Sequence, residues 1–536
     1  MTYKMPLRLL IINCFLVLFL QGCGSGSSSD NSIPPVSNDP TYTVGTYQPA
    51  ANFKNQCQVV RTVTDIDGNP YPDIQGSTLH ENHWLRSWSN DTYLWYSELP
   101  DLNPGSYNDP IEYFQLLKTS EVTASGSPKD NFHFEIDTTE YEQLTVAGIS
   151  VSYGIEWELT SPTVPRELYI RFIEPLSPAA AANLTRGVKV IAIDGIDVET
   201  DNTETGINTL NAGLYPSMVG ESHTFTILDV GATVTRDVTL IAEEVTANPV
   251  PIVDTFSTNN GNVGYIFFND HNFVSEDKLF DAFEQLSNSN INDLILDLRY
   301  NGGGYLYIAS QLSYMVAGNA ATNGKTFEQL RFNDKHPTVN PITNSNLDPT
   351  PFYNQSSQYS DARGSGVALP TLTLNRVFIL TTDGTCSASE AIINGLSGID
   401  IEVILIGDTT CGKPYGFYAT DNCGTTYFTI QFDGVNDKNE GGYSDGFTPM
   451  NDPIGAGQLK AGCYVVDDLT ESLGNSSEGL IAAALQYRET GTCPAITKSS
   501  VAKSSMIEEQ NGLKLKQDNP IPQKIYLDPY KDKSEH

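Results

Sequence analysis

Ser387 and Lys413 are the two side chains whose types and placement could make and break a covalent bond. Residues 377–380 form an apolar run, a Thr/Gly/Ser-rich turn follows, and Ile392, Ile393 and Leu396 then recur at helical spacing, so the stretch reads as strand, turn, helix. Ser387 falls where the strand hands over to the helix. Free backbone N–H groups and the positive end of the helix dipole gather at such a junction, where they favour an oxyanion beside a small exposed side chain. A second apolar run, residues 402–407, leads into Thr410-Cys411-Gly412-Lys413 and sets a lysine on a tight turn. A lysine ammonium in water has a pKa near ~10.4 and accepts no proton at neutral pH, but burial disfavours the charged form and brings the amine within reach of general-base work. Taken alone, the two residues favour a plainer reading, a helix N-cap and a solvated turn residue. Their surroundings reverse that weighting. Cys386 is a second candidate nucleophile, but no histidine stands near it in sequence to activate it.

The run Asn292-Asp293-Leu294-Ile295-Leu296-Asp297-Leu298-Arg299-Tyr300-Asn301-Gly302-Gly303-Gly304 precedes a helix striped with Ile308, Leu312 and Met315. Strand, glycine-rich turn, helix is again an α/β unit. A glycine triplet at a helix start can cradle phosphate, but this one lacks the GK[ST] ending and sits in a chain with a formal net charge of −35. Close backbone approach to a substrate carbonyl is the better reading.

In combination these motifs resemble one family closely, the C-terminal processing peptidases or tail-specific proteases, over residues 84–487. Asp297-Leu298-Arg299-Tyr300-Asn301-Gly302-Gly303-Gly304 matches a DLR-x-N-x-GG run, Ser387-Ala388-Ser389-Glu390 an SASE run, and Thr410-Cys411-Gly412-Lys413 a T-x-GK run. Gly446-Phe447-Thr448-Pro449 looks like a late G-[IF]-x-P element. The resemblance implies a serine endopeptidase in which Ser387 is the nucleophile and Lys413 the base. It also implies an oxyanion hole built from the backbone N–H of Ala388 and of one glycine of the triplet, Gly303 before Gly302. Two departures stand out. The Ser387 to Lys413 spacing is one residue longer than the family pattern, which the loop at Gly398-Ile399-Asp400 can absorb. Phe417 occupies the place where many members carry a glutamine that orients the lysine, so the orienting group is unidentified, or Phe417 serves only as an apolar wall.

The elements that must position these residues follow from the rest of the chain. Residues 1–22 have a short basic start (Lys4, Arg8), an apolar stretch too short to span a bilayer, and the ending Leu20-Gln21-Gly22-Cys23, which resembles a bacterial lipobox. Cys23 is then the lipidated anchor, and losing Lys4 and Arg8 takes the net charge from −35 to −37. So acidic a chain is a poor partner for nucleic acid or anionic lipid surfaces. Residues 23–50 read as a flexible Gly/Ser/Pro/Asp tether. Residues 51–141 read as a helical N-terminal domain in which Trp84 and Trp88 face inward, an aromatic binding platform being the alternative.

Residues 142–248 alternate as short β-runs with one small helix. Their Leu176-Ser177-Pro178-Ala179 and Val190-Ile191-Ala192-Ile193-Asp194-Gly195 stretches resemble a PDZ signature, with Asn183 and Val188 departing from it. The resemblance places a peptide carboxylate near Gly148, Ile149 and Ser150. Residues 249–490 form the α/β core and residues 491–536 a disordered tail without an apolar face. Excluding Cys14 and Cys23, six cysteines remain, enough for structural disulfides whose pairing sequence cannot choose, and none has a CxxC metal spacing.

The expected fold is α/β multidomain: a helical N-terminal domain, a PDZ-like β domain with a small helix, and an α/β core of the ClpP/crotonase-like kind. The expected function is a membrane-anchored serine endopeptidase of the bacterial cell envelope that captures polypeptide C-termini and needs no metal or cofactor. A catalytically inactive peptide-binding lipoprotein scaffold is the first rival. The second is a hydrolase with His271 as base.

Overall fold

The computed structural model describes residues 39–66, 68–142, 149–495, 523–525 and 529. The leader, the Cys23 anchor, Gly148 and most of the segment beyond residue 495 lie outside the described residues. Among the described residues no helix is long and apolar enough to cross a membrane.

A six-stranded sheet organises the core: β1 (Ile252–Thr258), β2 (Gly261–Phe267), β3 (Ile291–Asp297), β4 (Arg376–Thr381), β5 (Glu402–Gly407) and β6 (Gly462–Tyr464), adjacent in space in the order they occur in the chain. β1 and β2 form an antiparallel hairpin and every later pairing is parallel. Parallel neighbours need crossovers, supplied by α1 (Phe273–Ser287) between β2 and β3, α2 (Leu306–Ala317) between β3 and β4, and α3 (Ala388–Gly398) between β4 and β5. Side chains alternate across the strands. Leu294, Leu296, Ile379 and Leu405 point into one core with Leu279, Phe283, Leu312, Ile392 and Leu396 of these three helices. Ile295, Phe378, Leu380, Ile404 and Ile406 point to the opposite face, where Leu480, Ile481 and Ala484 of α4 (Gly479–Thr490) cover them. The sheet is therefore buried on both faces, which explains why its strands read as continuous apolar runs in sequence.

Arg299 ties this second face together. Fully buried just beyond β3, it pairs with Asp297, with Asp467 and with Glu478, the N-cap residue of α4. Burial alone lowers the guanidinium pKa, but the three carboxylates outweigh it and hold it well above its usual value. Arg186 reaches across from the preceding domain to the same Asp467 at 2.8 Å and to the Tyr300 hydroxyl at 2.6 Å.

That preceding region is a small antiparallel sheet in the order Arg236–Ile241, Ser222–Leu228, Lys189–Ile193, Leu168–Ile173, Ile155–Leu159. Ile207, Leu210 and Leu214 of the helix Glu204–Leu214 pack into it. Ile149 and Ser150, two of the expected peptide-binding residues, lie in the strand Ile149–Ser152, which pairs antiparallel with Glu243–Thr246.

The N-terminal region is not a separate body. Trp84 and Trp88 of the helix Thr78–Thr92 are buried and stacked with ring centroids 4.9 Å apart, and Trp84 meets Tyr427 of the core region at 5.5 Å. The strand Phe134–Asp137 pairs with Thr425–Phe428 in a shared sheet. Inward packing, not a solvent-facing platform, is what these tryptophans do.

Two expected boundaries are corrected. Residues 41–50, assigned by composition to the tether, are fixed by Arg86, whose guanidinium donates to the carbonyls of Thr46 and Thr43 and lies over the rings of Tyr42 and Tyr47. Within the supposed disordered tail, Cys493 is bonded to Cys463, and Gln523–Ile525 adds as a strand beside Gly303–Tyr305 with Ile525 buried. One buried aliphatic side chain in so short a strand leaves no periodic apolar face for sequence reading to find.

Replacing Arg299 with Met leaves Asp297 and Glu478 buried without their cation, with only neutral donors such as the Tyr265 hydroxyl and the Ile481 N–H, so Arg299→Met is expected to cost about 3 to 5 kcal/mol of stability, read as a lowered urea midpoint.

Candidate active site

The turn from β4 to α3 is held in a shape few residues adopt. Ser387, the N-cap of α3, has φ 61° and ψ −108°, a left-handed conformation that costs a non-glycine residue on the order of 1–3 kcal/mol. Its neighbours supply the restraint. The Cys386 N–H and the Ser389 hydroxyl both donate to the Asn301 carbonyl, at 3.1 and 3.0 Å, and the Thr385 hydroxyl donates to the Leu298 carbonyl at 2.9 Å. The Ser387 hydroxyl is enclosed and has no hydrogen-bond partner. A buried hydroxyl left unpaired is costly, and such exceptions cluster where a group is kept ready for something else.

Glu390 joins this turn to the loop after β5. Its carboxylate is completely buried and accepts four hydrogen bonds: from the Ser387 N–H at 2.9 Å, the Lys413 N–H at 2.8 Å, the Gly412 N–H at 2.9 Å and the Thr410 hydroxyl at 2.5 Å. Only half of a capping box forms, since Glu390 accepts from the Ser387 backbone while the Ser387 hydroxyl stays unbonded. Burial raises the Glu390 pKa, and the bonds from Thr410, Ser387, Lys413 and Gly412 oppose that rise. One oxygen, Oε2, holds the backbone nitrogens of both Ser387 and Lys413. The disulfide Cys386–Cys411 bridges the same two loops, with its Cα atoms 5.3 Å apart. Cys386 therefore carries no free thiol and is not a nucleophile.

Lys413 is buried, and its Nζ stands over two aromatic rings, 3.9 Å from the Phe417 centroid and 5.0 Å from that of Phe132. Phe417 is thus the apolar wall that its position suggested. Phe132 comes from the N-terminal region, and nothing in the sequence marked it.

The glycine triplet faces the nucleophile turn, but with a different donor from the one expected. The Gly303 N–H is already spent on Asn301 Oδ1, at 2.9 Å, and the Gly303 carbonyl accepts from the His271 N–H at 3.0 Å. Gly303 is therefore not a free oxyanion donor. Among the described residues the N–H groups of Gly302 and Ala388 have no acceptor and remain available. Gly304 has φ 133°, and a Cβ there would lie 2.6 Å from the His271 carbonyl, which explains glycine at this position.

His271 is a structural residue here. Its Nδ1–H donates to Asn301 Oδ1 at 2.9 Å, which leaves Nε2 unprotonated, and Nε2 has no partner. Burial lowers its pKa to about 3, so it stays neutral. Neither its Nε2 nor the Ser387 hydroxyl has any hydrogen bond, so the two do not meet as base and nucleophile.

Among the described residues, no group of three or more His, Cys, Asp or Glu side chains is arranged to hold a metal ion. The remaining disulfides are Cys57–Cys423 and Cys463–Cys493.

A largely parallel α/β sheet thus carries a serine on a strained strand-to-helix turn, and that turn is tied to the loop that bears a buried lysine. Residues 262–417 match the model described as peptidase family S41, and residues 80–132 match the peptidase S41 N-terminal domain. The chain is similar to the carboxyl-terminal-processing protease of Picosynechococcus, 23% identical over 272 residues, which are 51% of this chain and 55% of that protein. It is also similar to the protein of the same name from Synechocystis, 28% identical over 229 residues, which are 42% and 48% of the two chains. The chain thus spans about half the length of the curated relatives it matches. A putative S41 protease from Bacteroides fragilis shares the fold, with a TM-score of 0.57 at 23% identity, covering 79% of this chain and 98% of that one.

Removing the Cys386–Cys411 bridge by a paired change to serine is expected to lower stability by roughly 3 kcal/mol, given the loop it closes. Glu390→Gln sets an amide N–H against backbone donors and is expected to cost about 1 to 3 kcal/mol. Both losses are read from urea unfolding followed by circular dichroism.

Proposed function

We propose that the chain is a serine peptidase that cleaves exported polypeptides, acting near their C-termini as the names of its relatives suggest. Ser387 is the nucleophile and Lys413 the base. The observation that carries the reading is the serine itself: strained, enclosed, its hydroxyl without a hydrogen bond, and its N–H fastened through one carboxylate to the loop that bears the lysine.

In the proposed reaction Ser387 Oγ attacks a peptide carbonyl carbon while its proton passes to Lys413 Nζ, present as the free amine. The carbonyl oxygen becomes an oxyanion facing the Ala388 and Gly302 N–H groups. Donors fixed in place before the reaction contribute a few kcal/mol to lowering such a barrier, on the order of 3 kcal/mol each. Nζ then returns the proton to the departing amine as the C–N bond breaks, and the acyl-serine ester is hydrolysed by a water that Nζ activates in turn. Glu390 does not touch the substrate; it positions the nucleophile turn and the lysine loop against each other. Phe132 and Phe417 keep water from the lysine. The small β-domain is the capture module, PDZ-like, presenting a peptide strand to the core, and Cys23 is the lipid anchor that holds the chain at the cell envelope.

Casein cleavage by purified protein tests the assignment. Ser387→Ala is expected to lower the rate by about 10⁴-fold or more and Lys413→Ala by about 10²- to 10⁴-fold, with unchanged circular dichroism. Equal cleavage by wild type and Ser387→Ala rejects it.

A further inference from the structure

The strand Gln523–Ile525 does not lie on an arbitrary surface. It pairs in parallel with Gly303–Tyr305, the segment directly after the proposed oxyanion donor Gly302, with Gly303 opposite Gln523, Gly304 opposite Lys524 and Tyr305 opposite Ile525. On its other side Ile525 bridges in parallel to Phe417, the residue whose ring lies under Lys413 Nζ. One short strand therefore fills the gap between the two walls of the site.

The backbone of the glycine turn is suited to accept such a strand. The Gly303 N–H and carbonyl and the Tyr305 N–H all bond toward Asn301 and His271. Alternate residues of a strand face opposite edges, so Gly304 is the residue whose N–H and carbonyl face the added strand. This is how an extended peptide gains affinity without regard to its sequence, through main-chain bonds to an exposed edge. Sequence preference then comes from the side-chain pocket. Ile525 is 4% exposed and belongs to the same apolar core as Tyr305, Phe417, Ala388 and Phe428. Four residues further on, the Pro529 carbonyl accepts from the Gln358 N–H at 3.3 Å, which fastens the segment a second time.

We propose that the gap between Gly303–Tyr305 and Tyr415–Phe417 is the site where an extended polypeptide adds as a strand, that it selects a branched aliphatic side chain at the place of Ile525, and that Gln523–Ile525 holds it in cis against other substrates. The proposal rests on the peptidase reading for what the site does, but cis occupancy can be measured without any catalysis. Substrates must displace the segment, so its hold appears in KM and not in kcat.

Ile525→Asp puts a charge into the apolar pocket and leaves Ser387, Lys413, Glu390 and the glycine turn unaltered. In the full chain carrying Ser387→Ala, hydrogen exchange is expected to show protected amides at Gly304 and Ile525, lost on adding Ile525→Asp. In the full chain with Ser387 intact, Ile525→Asp is expected to raise kcat/KM on casein about tenfold or more, through KM. A synthetic peptide covering residues 519–530 should inhibit that variant competitively, and the same peptide with Asp at position 525 should not. Unprotected amides in the Ser387→Ala chain, or an unchanged KM in a variant that cleaves casein, overturns the proposal. Exchange protection that Ile525→Asp abolishes, in a protein that cleaves nothing, upholds the docked strand and sinks the peptidase reading instead.

Discussion

A single buried carboxylate does what the rest of the site depends on. Glu390 gathers three backbone N–H groups and one hydroxyl from two loops that share no strand pairing of their own at that point. A carboxylate out of water needs that many donors to stay favourable. The Cys411 N–H adds a direct bond between the two loops, to the Thr385 carbonyl at 3.1 Å. The disulfide Cys386–Cys411 spans the same gap covalently. Together they let Ser387 keep a backbone conformation that an unrestrained serine would leave.

The other wall is built on amide chemistry. Asn301 uses its side-chain oxygen for the Gly303 N–H and for His271, its side-chain nitrogen for the Phe268 carbonyl, and its own carbonyl for Cys386 and Ser389. It thereby sets the distance between the glycine turn and the nucleophile turn. Arg299, two residues earlier, performs the matching task on the far face of the sheet, where it fixes β3 to α4. Arg186 shares Asp467 with it, so the small β-domain is tied to the element that carries the glycine turn.

Much of this was legible in the sequence because it is local. The runs at residues 377–380 and 402–407 read as strands since both faces of the sheet are covered, and Ser387 was placed at the hand-over from strand to helix by the switch to helical spacing after it. The glycine triplet announced itself by composition. What stayed hidden depends on long-range contact. Phe132 reaches Lys413 only because the N-terminal region wraps onto the core, and no periodicity ties residues so distant in sequence. Gly302 rather than Gly303 is the free donor for a reason that lies in the side-chain rotamer of Asn301. The strand at Gln523–Ile525 is three residues long, too short to show a period, and its pairing partners lie far away in sequence. Cysteine pairing was open for the same reason: Cys57 finds Cys423 across almost the whole fold.

The central claim is that Ser387 is made reactive by the lysine to which Glu390 fastens it. Intact-mass spectrometry after treatment with a fluorophosphonate measures this without any choice of substrate. The account predicts one adduct per chain, mapped to Ser387, formed at a rate that falls at least about tenfold in Lys413→Ala and in Glu390→Gln while both remain folded. An adduct on any other residue, or labelling of Ser387 that is indifferent to Lys413, would contradict it.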